Sequence, residues 1–117
     1  MIHDSLNELT ARLRAFAAAR DWEQFHTPKN LAMALTAEAG ELAAEFQWLE
    51  GAASLALDAE HLARVRDEAA DVFIYLVRLA DRLGFDLVAA ANAKIDRNEA
   101  RYPANQVRGQ SKKYDEY

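Results

Sequence analysis

Residues 35–48 read LTAEAGELAAEFQW. Ala, Leu and Glu dominate the stretch, all strong helix formers, and no proline interrupts it. An α-helix turns about 100° per residue. With Glu38 set at 0°, Glu41 falls near about 300° and Glu45 near about 340°. Leu35, Leu42, Phe46 and Leu49 fall between roughly 20° and 80° on the same wheel. Lys29, Thr36, Ala43 and Gln47 take the opposite face. The carboxylates therefore abut the apolar stripe. Burying charge is expensive unless it is paired or holds a metal, so acids in that position need a reason.

Outward from this stretch the chain is punctuated for helices. SLNE at 5–8 is a capping-box pattern that opens a first helix running to about Arg20. Thr27 is an N-cap candidate and Pro28 suits the first helical position of a second helix. That helix is expected to run to about Glu50, with Gly51 closing it and GAASLAL as connector. Asp58 starts a third helix that ends at Gly84. Asp86 caps a fourth, which stops before Pro103. No strand-like alternation of useful length appears. The expected fold is all-α, a bundle of four main helices. One domain over 1–104 is expected, followed by a polar, mobile tail over 105–117.

The third helix repeats the anomaly of the second. With Glu68 at 0°, Asp71 lies near about 300° and Tyr75 near about 340°, while Val65, Val72, Leu76, Leu79 and Leu83 lie between about 20° and 80°. The segment VFIYLV at 72–77 is apolar all round, which fits burial on more than one side. In a chain of 117 residues part of that burial is expected from another copy.

Composition narrows the chemistry. The chain is 51% hydrophobic and 28% charged, enough for a core. Its net charge of −5 argues against a general nucleic-acid binder. It contains no cysteine, which removes disulfides, zinc-thiolate sites and thiol catalysis. No basic segment followed by an apolar run opens the chain, and no apolar run reaches membrane-spanning length. A cytoplasmic protein without membrane contact is expected.

Two helices thus present acids three apart, Glu38 with Glu41 and Glu68 with Asp71, and residues three apart share a face. If the helices pack side by side, four carboxylates converge and repel. A hard divalent cation removes the repulsion, and oxygen-only ligands suit Mg²⁺, with Mn²⁺ able to substitute. A di-iron bundle needs Glu-x-x-His pairs. His3, His26 and His61 do not follow a glutamate at that spacing.

Residues 25–48, FHTPKNLAMALTAEAGELAAEFQW, followed by DEAADVFIYLVRLADRLGFDL, resemble the MazG-like all-α nucleoside triphosphate pyrophosphohydrolases, closest to the dCTP pyrophosphatase branch. The family signature is ExxE, a spacer, then ExxD. Here it reads Glu38-Ala-Gly-Glu41 and Glu68-Ala-Ala-Asp71. The resemblance implies hydrolysis of a (deoxy)nucleoside triphosphate to the monophosphate and pyrophosphate, with these four acids as metal ligands. It implies that Lys94 and Asn98, in KIDRN, contact phosphates, and that Trp22 and Trp48 flank the base. His26 and Tyr75 are further substrate-binding candidates. Glu45 is a possible support to the metal site, although relatives carry the extra acid one residue earlier, where this chain has Ala44. The tail RGQSKKY either closes over the triphosphate or is solvated. Relatives are dimers or tetramers. A dUTP-preferring or broad hydrolase, or a non-catalytic helical binding module, is the alternative.

Overall fold

A computed structural model describes residues 5–111. The four main helices are α1 (Leu6–Ala19), α2 (Pro28–Ala44), α3 (Ala59–Leu83) and α4 (Leu87–Arg101). A single 3₁₀ turn occupies Ala53–Leu55, and a short α5 occupies Ala104–Val107. No strand occurs among the described residues. The chain is all-α with four main helices, as the capping pattern predicts.

Each main helix starts where a short polar side chain takes a free backbone N–H. Ser5 accepts from the Glu8 amide at 3.0 Å and Thr27 from the Asn30 amide at 3.2 Å. Asp58 accepts from the His61 amide at 2.8 Å and Asp86 from the Ala89 amide at 3.0 Å. Such caps contribute about 1 kcal/mol each. Gly84 closes α3 at φ 76°, a left-handed conformation that costs a glycine little.

The chain divides into two compact units, the first ending at Gly84 and the second starting at Phe85. Within the first, α1 and α2 both pack on α3. Ala17, Leu31, Val77 and Ala80 are its buried apolar residues. The second unit contains α4 and α5. The short α5 begins at Ala104, where the sequence suggested no element. Residues 112–117, which include the last three residues of RGQSKKY, lie outside the described residues, as does His3.

One boundary differs from expectation. The second helix stops at Ala44, not near Glu50. Beyond it the chain tightens into turns, with Phe46 N–H donating to Ala43 at 3.0 Å and Leu49 N–H to Phe46 at 2.9 Å. A contact from α3 holds this end. The His61 Nε2–H donates to the Glu45 carbonyl at 2.7 Å, and its ring lies 6.3 Å from that of Phe46. Phe46 and Leu49 therefore leave the helical stripe on which the 3.6-residue period puts them.

Candidate active site and acidic centre

The packing of α2 on α3 converts two sequence patterns into one cluster. Glu38 and Glu41 stand on α2, and Glu68 on α3. One oxygen from each lies within 4.8 Å of the other two. Glu38 and Glu68 are half-buried and Glu41 is exposed. Asp71, one turn beyond Glu68, falls outside this trio, but its charge acts on both Glu38 and Glu68.

The cluster is electrostatically stressed. Burial, then the charges of Glu41 and Asp71, raise the Glu38 carboxyl above its usual range. Burial, then a bond to Glu41 and the charges of Glu41, Glu38 and Asp71, push Glu68 up to about 7. Oε2 of Glu38 and Oε2 of Glu68 are buried and have no hydrogen-bond partner among the described residues. Buried carboxylate oxygens are normally satisfied. Two orphaned ones, on facing helices and beside a third acid, fit a hard divalent cation, whose ligands are oxygens.

A cavity of about 710 Å³ opens between α1, the loop after it and α3. Asp71 lines it, together with Trp22, His26 and Tyr75. The volume is within the range of small-molecule sites. Trp22 packs edge-on against Phe16, 5.7 Å between centroids, and sits 6.2 Å from the His26 ring. Asp21 holds φ 54° just before it, one of the few non-glycine conformations in the left-handed region. The Trp22 amide then returns to the Ala17 carbonyl at 3.0 Å. The loop is thus folded back on α1 and directs Trp22 and His26 to one cavity.

Other candidates have different surroundings. The Glu45 carboxylate is taken by the Arg64 Nε at 3.1 Å and lies 3.3 Å from His61 Nε2, outside the acidic trio. Trp48 is 88% exposed and does not line the cavity. Lys94 and Asn98 share a face of α4, in the second unit, with Lys94 exposed and Asn98 half-buried.

The pattern reading missed an ionic network on the first unit. Arg78, 3% exposed, donates to Glu23 at 3.0 Å and Asp81 at 3.2 Å. Arg82 donates to Glu23 at 2.9 Å, and Arg14 to Asp81 at 3.1 Å. The Arg14 bond, above all, holds the Asp81 carboxyl below its usual range. An arginine inside the apolar run of α3 was the available signal, since a buried charge needs partners.

A model of the MazG-like family matches residues 33–117. The chain is 49% identical over 106 residues to dCTP pyrophosphatase 1 of Rattus norvegicus, covering 88% of this chain and 62% of that protein. It is 48% identical over 108 residues to dCTP pyrophosphatase 1 of Homo sapiens, covering 90% and 64%. The matches thus span under two thirds of the length of these curated relatives. Among solved structures, a pyrophosphatase from Archaeoglobus fulgidus DSM 4304 superposes with a TM-score of 0.79 at 36% identity, covering 88% of this chain and 99% of that one. No described helix is long and apolar enough to cross a membrane.

Proposed function

The chain belongs to the MazG-like family, and on that premise we propose that it hydrolyses a (deoxy)nucleoside triphosphate, dCTP or a modified dCTP first, to the monophosphate and pyrophosphate. The observation that carries the reading is the pair of orphaned buried oxygens on Glu38 and Glu68, set beside Glu41. Glu38, Glu41, Glu68 and Asp71 would hold Mg²⁺, or Mn²⁺ in its place. A divalent cation bound there supplies Lewis-acid polarisation of phosphoryl oxygens and a more acidic water.

The protein's own groups do the rest. A carboxylate oxygen of the quartet orients the attacking water and takes its proton. Trp22 offers ring area to the base, and Tyr75 and His26 offer polar atoms in the same cavity. Trp48, exposed, is assigned to the base because relatives place a tryptophan from this position there. Lys94 and Asn98 are assigned to the phosphates because they match the family's Lys-x-x-x-Asn element. The names of the two curated relatives favour dCTP.

Hydrolysis in ¹⁸O-water tests the bond that breaks. Attack at the α-phosphorus puts the label in the nucleoside monophosphate and leaves pyrophosphate unlabelled. Label in pyrophosphate would mean attack at the β-phosphorus. Orthophosphate as first product would mean an ordinary phosphatase. Either outcome overturns the assignment.

The working form is proposed to be a homodimer or homotetramer. Phe73 on α3 is 45% exposed and Met33 on α2 62% exposed, apolar surface that a second copy would cover. Light scattering at micromolar protein should give at least twice the 13.1 kDa chain mass. A monomer would refute this assembly.

A further inference from the structure

The loop that carries Trp22 and His26 is fastened to α3 by two arginines. Arg82 Nε donates to the His26 carbonyl at 3.1 Å, and its Nη1 to Glu23 at 2.9 Å. Arg78 Nη2 donates to Glu23 at 3.0 Å and also reaches His26 Nδ1 at 3.4 Å. With Asp81 on its Nη1, Arg78 faces two carboxylates. Its two terminal nitrogens are engaged by carboxylates, its Nε is buried without a hydrogen-bond partner among the described residues, and Nη2 also reaches the histidine.

Arginine has five N–H donors, no acceptor, and does not deprotonate in proteins. His26 Nδ1 must therefore be the acceptor and carry no proton. In a neutral imidazole the proton then sits on Nε2. A doubly protonated ring would point an Nδ1–H at the guanidinium. The surroundings oppose that form as well. Burial, then Arg78, with Arg82 adding to it, lower the His26 pKa, against the opposite pull of Glu23.

We infer that Arg78 is a positioning residue that holds His26 as its neutral Nε2–H tautomer, and so gives the aromatic cavity a fixed hydrogen-bond donor for the nucleobase. The identity of the ligand rests on the proposed hydrolase activity. The tautomer does not. A base edge that meets this donor must accept, through a carbonyl oxygen or an unprotonated ring nitrogen. Cytosine presents both, side by side. Uracil and thymine carry a proton on that ring nitrogen, so they meet the donor only through a carbonyl oxygen, whereas a base edge with no acceptor there leaves the buried donor unpaired.

Imidazole ¹⁵N NMR on the full chain at neutral pH tests this directly. His26 should show a protonated Nε2 and an unprotonated Nδ1. Titration with dCMP, the expected product, should move the Nε2 resonance. In Arg78→Met the ring should lose its single tautomer, and KM for dCTP should rise about tenfold, the scale of one lost hydrogen bond, with kcat within about twofold. Arg78→Lys, still donor-only, should retain the Nε2–H form. If Arg78→Met does not fold, the wild-type and Arg78→Lys spectra decide. A protonated Nδ1 in wild type, an unchanged tautomer in folded Arg78→Met, or a dCMP titration that leaves Nε2 unmoved would overturn the inference. A protein with this tautomer and the dCMP response, but no triphosphate hydrolysis, would strike the proposed activity alone.

Discussion

Glu68→Gln is expected to lower kcat for a nucleoside triphosphate by at least about a hundredfold, with the helical circular-dichroism signal intact. Groups that only support a metal ligand are worth about 10–100-fold, and Glu68 is assigned to the ligand set itself. Its Oε2 is buried without a hydrogen-bond partner among the described residues, so that oxygen loses none when the charge goes. Glu41→Gln and Asp71→Asn should behave alike in turnover, because each takes one carboxylate from the same quartet. Glu45→Gln supplies the contrast. Its carboxylate is already engaged by Arg64 and His61, so turnover should hold within a few-fold. Steady-state kinetics on matched, folded variants check the series. A Glu68→Gln protein retaining most of its kcat would remove the acidic cluster from the reaction. Equal losses in Glu45→Gln and Glu68→Gln would show that the trio is not the distinguishing feature.

The contrast between those two glutamates marks what a sequence can carry. Glu38, Glu41 and Glu68 were legible because their placement is a consequence of helical period: three residues is most of a turn, and the apolar stripe says which side faces inward. Ser5, Thr27, Asp58 and Asp86 were legible for the same reason, since a cap is a local bond over three residues. Glu45 sits on the same projected face, yet its surroundings are set by His61 and Arg64, 16 and 19 residues away. By then α2 has ended at Ala44, so a wheel drawn through Leu49 describes a helix that is not there. Trp48 follows that break to the surface, while Trp22 is turned to the cavity by a left-handed Asp21. Arg78 lay near about 280° on the α3 wheel, beside Asp71. Its meaning depends on Glu23 and His26, 55 and 52 residues earlier, and no period connects them.

The same orphaned carboxyls should make stability depend on pH and on metal in a coupled way. In metal-free buffer the cluster should cost stability as pH rises from about 4.5 to about 7. The sign follows from proton counting. Unfolded, Glu68 loses its proton near its ordinary value of 4.5; folded, it holds the proton up to about 7. Between those values the native state binds more protons, so raising pH favours unfolding. Glu38 is raised too and acts in the same direction. His26 opposes them: its folded pKa lies below 6.5, so it adds stability as pH rises through that region. Asp81, lowered chiefly by the Arg14 bond, loses its contribution only as pH falls below 3.8. The difference in melting temperature between wild type and Glu68→Gln removes both backgrounds. Metal-free wild type should fall relative to Glu68→Gln as pH rises through that window. Mg²⁺ should then reverse the order at about pH 8, where the acids are free to bind it. A ligand held only by the native state adds about 2.7 kcal/mol at a hundredfold excess over its Kd. For a chain of this length that is a rise of about 10 °C or more. Near pH 5 protons compete for the same oxygens and the rise should shrink. Differential scanning fluorimetry across the four combinations of pH and Mg²⁺, in both proteins, reads this out. A Mg²⁺ response that is absent, or is equal at both pH values and in Glu68→Gln, would remove the cation from these carboxylates.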